Sequence, residues 1–171
     1  MKKYLLPISA CLAVIAALLV FLLVPNSKND KAVTVTETIT NSPYPEKTDD
    51  GMIRIPAEKL SHDNISFIRI AENSRIEILA RIGDDGLPKA ALGTCQSCNG
   101  SPKAYYTQEG DQLKCNNCGL TFPINVIDSQ GYGCHPISID SSIVRISDQE
   151  ILLDAEKLAA YEPLFEKIEA H

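Results

Sequence analysis

Two cysteine pairs constrain this chain more than any other feature. Cys95 and Cys98 form one CxxC, Cys115 and Cys118 form a second, and 16 residues separate them. A C-x2-C-x16-C-x2-C arrangement lies within the spacing of a four-thiolate metal site. Each CxxC turn aims two sulfurs at one point, and a hairpin between the pairs brings the second point beside the first. Four thiolates then form a near-tetrahedral cage that suits zinc or iron. Asn99-Gly100 follow the first pair and Gly119 follows the second. These residue types accept positive φ, which lets backbone amides turn toward sulfur and stabilise its charge. Disulfides are the plainer alternative, because an exported chain meets an oxidising compartment. A redox-active dithiol is a third, although such a CxxC usually opens a helix, and Cys118 instead runs into Gly-Leu-Thr-Phe-Pro. Covalent haem is excluded, since CxxCH would need His where Asn99 and Gly119 stand.

A fifth cysteine, Cys134, sits in Gly131-Tyr132-Gly133-Cys134-His135-Pro136. Glycines on either side suit a turn that brings backbone close to a cofactor. One reading is a buried free thiol packed as a small hydrophobe. The other is a fifth ligand, which a zinc ribbon does not need but an iron–sulfur cluster or a second metal can use. His135 is a further candidate ligand. His62 reads as a turn residue and His171 as a frayed terminus.

The N-terminus sets the compartment. Lys2 and Lys3 precede an apolar run over residues 4–24, broken mildly by Pro7, Ser9 and Cys11. A stretch of roughly 20 apolar residues is long enough to span a bilayer. Positive residues stay on the cytoplasmic side, which puts the remainder of the chain outside the cytoplasm. A cleaved signal peptide lacks a small-x-small site after the run. A lipoprotein signal would need its cysteine after the run, whereas Cys11 lies early in it. The expectation is an uncleaved, single-pass anchor over 1–25, a flexible tether over 26–50 and a cysteine-rich domain over 51–171. The tether is Ser, Thr, Asn, Lys and Asp with scattered Pro; Val-Thr-Val-Thr at 33–36 is its one strand-like stretch.

The 171 residues allow one core and no second. The net charge is -6, and of 16 basic residues two lie before the apolar run, leaving 14 against 22 acidic ones. That balance argues against a nucleic-acid surface. With no Trp, the core must rest on Ile, Leu and Val. Short β-like runs cover 52–55, 65–70, 75–82 and 88–92, with a turn at Asp84-Asp85-Gly86. Residues 104–107 and 112–114 flank Glu109-Gly110-Asp111 as a hairpin. Strands are also expected at 122–127 and 143–146. Leu152, Ala155, Leu158, Ala159, Phe165 and Ile168 fit short helical turns broken near Pro163. The fold class is mainly β (α+β): a small β-rich domain with paired CxxC knuckles and a short C-terminal helix.

The runs Ala91-Leu92-Gly93-Thr94-Cys95-Gln96-Ser97-Cys98, Leu113-Lys114-Cys115-Asn116-Asn117-Cys118-Gly119, Phe122-Pro123-Ile124-Asn125 and Gly133-Cys134-His135-Pro136-Ile137 resemble the FtrD-like membrane iron–sulfur protein family. Ile53-Arg54-Ile55-Pro56 and Phe67 fit its opening strands, so the resemblance covers roughly 51–155. It implies a membrane protein with a cysteine-ligated iron–sulfur or metal centre, serving electron transfer or metal handling beside an iron permease. The family often has an acidic residue where Gly93 stands and tends to have Asn where His135 stands. A missing carboxylate removes a hard ligand, and a histidine adds a borderline-soft one.

The expected site is therefore Cys95, Cys98, Cys115, Cys118 and Cys134, with His135 beside them and an iron–sulfur cluster or iron as cofactor. Zinc is the alternative cofactor. The competing functions are a structural zinc-ribbon-like interaction domain and an exported thiol–disulfide protein. No Ser/His/Asp set, phosphate loop or carboxylate pair points to a hydrolase, so the reading leans away from an enzyme.

Overall fold

Alternation of Ile and polar residues builds the first strands, and continuous apolar runs build the central ones. The structure, a computed structural model, describes residues 43–129, 131 and 133–171. In chain order the strands begin with β1 (Glu46–Lys47), β2 (Met52–Pro56), β3 (Ser66–Arg69), β4 (Glu77–Ile82) and β5 (Pro88–Cys95). They continue with β6 (Tyr106–Glu109), β7 (Gln112–Cys115), β8 (Thr121–Pro123), β9 (Pro136–Ile137), β10 (Val144–Ile146) and β11 (Glu150–Asp154). A one-turn helix, α1 (Ala155–Leu158), and a 3-10 segment, Ala159–Leu164, follow. Among the described residues the strands form three sheets, ordered β1-β2-β11-β10, β3-β4-β5-β9 and β6-β7-β8. Every pairing in them is antiparallel.

The chain has two cores where its length led to the expectation of one, because the middle sheet is apolar on both faces and serves as a wall shared by the two. Its β4 is buried along almost its whole length, as is β5. Side chains alternate across a strand, so Ile78, Ala80, Ala90 and Leu92 face one core while Leu79 and Cys95 face the other. The first core is closed by Ile53, Ile55, Ile151 and Leu153 from the first sheet and by Leu158 and Phe165 from the C-terminal segment. The second is closed by Tyr106, Leu113, Cys115 and Phe122 from the third sheet, with Ile124 and Ile127. Gln108 fastens that third sheet to the middle one: its Oε1 accepts from the Ile65 amide at 2.7 Å and its Nε2 donates to the Asp63 carbonyl at 2.8 Å. Both cores use Ile and Leu at their centres, as a chain without Trp must.

Several expected elements shift. Leu152 belongs to β11, not to a helical turn. Ile-Leu-Leu at 151–153 is an unbroken apolar run whose period decides nothing by itself; insertion between β2 and β10 makes it a strand, pairing Ile151 with Ile55 and Leu153 with Ile53. The helix starts only at Ala155, where the Asp154 carboxylate caps the Lys157 amide at 3.1 Å. The run expected over 122–127 ends as a strand at Pro123 and turns into a 3-10 segment, Ile124–Val126. In the hairpin, Glu109 pairs with Gln112, so Gly110 and Asp111 alone make the turn. Strand β9 escaped the sequence reading because two residues give no pattern.

Among the described residues no helix is long and apolar enough to cross a membrane. The expected anchor over 1–25, its Cys11 and the strand-like stretch at 33–36 lie outside the described residues.

The placement of β11 makes a graded prediction. Leu153 is fully buried and Leu152 only partly. Leu153→Ala should destabilise the domain by about 2–5 kcal/mol in urea unfolding, and Leu152→Ala by less than half as much. Equal effects would contradict the strand.

Candidate metal centre

Strand ends and tight turns bring all five domain cysteines together. Cys95 is the last residue of β5 and Cys115 the last of β7, and both are fully buried. Past each, the chain reverses through a knuckle. Gly100 and Gly119 take φ of +93° and +73°, as a knuckle requires, while Asn99 stays at negative φ. The Gly119 amide donates to the Cys115 carbonyl at 2.9 Å, and the Ser101 amide to the Cys98 carbonyl at 3.0 Å. The knuckles are fastened to each other, since the Ser101 hydroxyl donates to Asn117 Oδ1 at 2.6 Å. Asn99 anchors the first knuckle by donating to Thr94 Oγ1 at 3.2 Å and to the Leu164 carbonyl at 2.9 Å.

The third contributor is the loop that carries Cys134. Pro136 of β9 pairs with Cys95, and the Gln96 amide donates to the His135 carbonyl at 3.0 Å. Tyr106, nearly fully buried, donates its hydroxyl to the Cys134 carbonyl at 2.8 Å. These bonds hold Cys134 Sγ 3.1 Å from Cys118 Sγ.

The five sulfurs converge as two triplets. Cys95, Cys98 and Cys115 have ligand atoms within 4.8 Å of one another, as do Cys98, Cys118 and Cys134. Cys98 is common to both. The first triplet is walled in by the second core, and the second reaches the surface through exposed Cys118. In a tetrahedral site with metal–sulfur bonds of about 2.3 Å, sulfurs stand about 3.8 Å apart; Cys118 and Cys134, at 3.1 Å, would have to part by about 0.7 Å to share one ion. His135 belongs to neither triplet. Its ring packs on Phe122 with centroids 5.1 Å apart, and its Nδ1 is buried without a partner. It covers Gly131 so closely that a Cβ there would lie 2.8 Å from its Cδ2.

Electrostatics within the cluster are uneven. The Cys134 thiol and the Leu120 amide both donate toward Cys118, holding it down at about 7. The proton that favours Cys118 stays on Cys134, whose pKa is raised by that contact and by burial. Burial pushes Cys115 up to about 12, against amides of Cys118 and Asn117 that point at its sulfur. Burial also opposes ionisation of Cys95, yet polar groups around its sulfur, the Cys98 amide and the Cys115 and Cys98 thiols among them, outweigh it and lower its pKa. Asn117 favours a Cys98 thiolate, but burial and the Cys95 and Cys118 sulfurs outweigh it and raise the thiol. The cluster by itself thus resists full ionisation. A bound cation removes that resistance, so the donor set fits a thiophilic metal, and loading must release protons. Five soft sulfurs suit iron or zinc better than any hard cation.

Sequence reading named the five cysteines that the fold clusters and missed their supports. Tyr106 and the Ser101–Asn117 tie carry no local signal, because their partners lie elsewhere in the chain. His62 sits in a bend, where it was expected. His171 does not fray: its ring stacks on Tyr105 with centroids 4.0 Å apart, and its Nε2 lies 3.3 Å from Glu77 Oε2.

Exposure and ionisation together predict a labelling order. In reduced, metal-free protein at neutral pH, Cys118 should react with iodoacetamide at least tenfold faster than Cys95 or Cys115, read by peptide mass spectrometry. Metal loading should suppress the Cys118 reaction. Uniform labelling of all five would contradict the arrangement.

Comparison with known proteins agrees with this geometry. No curated protein and no solved structure matches the chain. A family model does, described as membrane iron-sulfur containing protein FtrD-like, and it spans residues 60–165. The matched stretch contains all five clustered cysteines, and family and cluster together support a metal-binding protein linked to iron. The chain belongs to the FtrD-like family of membrane iron–sulfur containing proteins.

Proposed function

We propose that Cys95, Cys98, Cys115, Cys118 and Cys134 together hold an iron–sulfur cluster or iron. In this reading the protein carries electrons or handles metal for an iron-uptake system that includes an iron permease. The observation that carries the proposal is the pair of sulfur triplets joined at Cys98. A lone zinc cage closes with four ligands and has no use for a fifth cysteine. A polynuclear centre offers more coordination positions and does. When bound, such a centre supplies one-electron chemistry.

The chain's own residues would do three things. Amides of Cys98, Asn117, Cys118 and Leu120 point at sulfurs and stabilise negative charge there. The Tyr106 hydroxyl fixes the Cys134 loop against the knuckles. Exposed Cys118, with Leu120 59% exposed beside it, leaves one edge of the centre open to a partner. His135, next to Cys134 and with an unpartnered Nδ1, is the extra donor in this proposal. A single N-terminal span over 1–25 and a tether over 26–50 would hold the 51–171 domain at the outer face of the cell membrane, within reach of a permease.

Substitution separates this reading from a structural zinc domain. Cys118→Ser should lose most of the metal. Cys134→Ser should change the metal stoichiometry or redox potential of anaerobically purified protein. If Cys134→Ser kept the metal content and spectrum of the unaltered protein, a four-cysteine zinc ribbon would be the better account. Chelation under reducing conditions should also lower the melting temperature, because structural metal sites add their binding energy to folding.

A further inference from the structure

A second group of donors lies on the middle sheet, apart from the cysteines. Glu77 opens β4, one step past the Ile78–Leu92 pair, and therefore faces Gly93 on β5. Its carboxylate occupies the space that any side chain at 93 would fill: a Cβ there would lie 2.6 Å from Glu77 Oε1. Oε1 is buried and has no hydrogen-bond partner. Oε2 lies 3.3 Å from His171 Nε2.

The tautomer of His171 decides what this contact means. Its Nδ1 lies 3.2 Å from the Glu169 carbonyl, which can only accept, so Nδ1 carries the hydrogen. In a neutral ring Nε2 then presents a lone pair to a carboxylate oxygen. Either a second ring proton or a metal cation then joins the two, and a 3.3 Å contact accommodates both. Donors each about 2.0–2.1 Å from a tetrahedral ion stand about 3.3 Å apart, which is the spacing found. A backbone carbonyl on the far ring nitrogen is also how metal-binding histidines are commonly oriented. The Tyr105 ring, stacked at 4.0 Å and 6° from parallel, fixes the imidazole plane.

We propose that Glu77 and His171 form a separate, exchangeable site for one divalent cation of the borderline class, such as Fe2+, Co2+ or Zn2+. Glu77 supplies one oxygen, with Oε1 available as a second, and His171 supplies a nitrogen. The remaining positions open into a cleft of about 520 Å³ lined also by Arg69, Arg75 and Lys167 and by Glu72 and Glu169. Nitrogen and oxygen donors favour a harder ion than the five sulfurs do. Cys95 follows Gly93 by two residues on the same strand, roughly 7 Å further along, so such an ion would sit close to the thiolate centre without sharing its ligands.

The competing occupant is a proton, and burial does raise the Glu77 carboxyl despite the nearby His171 and Arg69 charges. Equilibrium dialysis of the full chain against Co2+, with the thiolate centre already loaded, separates the two. The unaltered protein should take up one additional Co2+ per chain, without new sulfur-to-cobalt charge transfer in the difference spectrum. Glu77→Gln and His171→Ala should each weaken that uptake at least tenfold while thiolate-bound metal and melting temperature stay unchanged. Gly93→Ala should weaken it too, by pushing the carboxylate aside. No additional Co2+, or uptake indifferent to both ligand substitutions, would leave a proton-bridged ion pair and overturn the proposal. Were the cysteines empty, Co2+ taken up there would show sulfur-to-cobalt charge transfer and would count against the thiolate reading alone. The Glu77–His171 site is read as the uptake that lacks those bands and is lost in Glu77→Gln and His171→Ala.

Discussion

Five thiols crowded into one place cannot all ionise unless a cation joins them, and much of the second core follows from that constraint. Two of the sulfurs are fully buried, at Cys95 and Cys115, where negative charge is costly. The fold answers with directed dipoles. Backbone amides from both knuckles point at sulfur, and Tyr106 is spent on the loop that carries Cys134. These groups lower the cost of charge without cancelling it, which is why burial still holds Cys115 near 12. A metal supplies the missing counter-charge, so folding of this half of the domain and occupancy of the site are coupled.

The two cores divide the labour. The first, between β2–β11 and the middle sheet, is ordinary Ile and Leu packing and needs no metal to be apolar. The second contains Cys95 and Cys115 among its buried members. Because β4 and β5 are common to both, the first core gives the metal end a rigid back wall. Asn99 carries that support round the edge by bonding the first knuckle to the Leu164 carbonyl of the C-terminal segment. Loss of metal should therefore loosen the third sheet more than the first.

How much of this the sequence disclosed depends on the range of the interaction. The CxxC spacing is local and states its own chemistry, so the convergence of four sulfurs was legible, and the glycine-flanked turn marked the fifth. Strands with clear runs, such as those around Ile53 and Ile78, were legible for the same reason. What escaped was decided by partners far along the chain. Leu152 became a strand residue because β2 and β10 lie on either side of β11. His171 became ordered because Tyr105 and Glu77 meet it. Glu77 carried no signal, since its role comes from a glycine 16 residues later on the neighbouring strand.

The central claim is that the cysteine cluster is a polynuclear iron centre and not a closed zinc cage. Iron, zinc and acid-labile sulfide, quantified together with the visible spectrum on anaerobically purified full-length protein, test it most directly. The account predicts more than one iron per chain, matching sulfide, and charge-transfer bands that bleach on reduction. One zinc per chain, no sulfide and a colourless protein would contradict it.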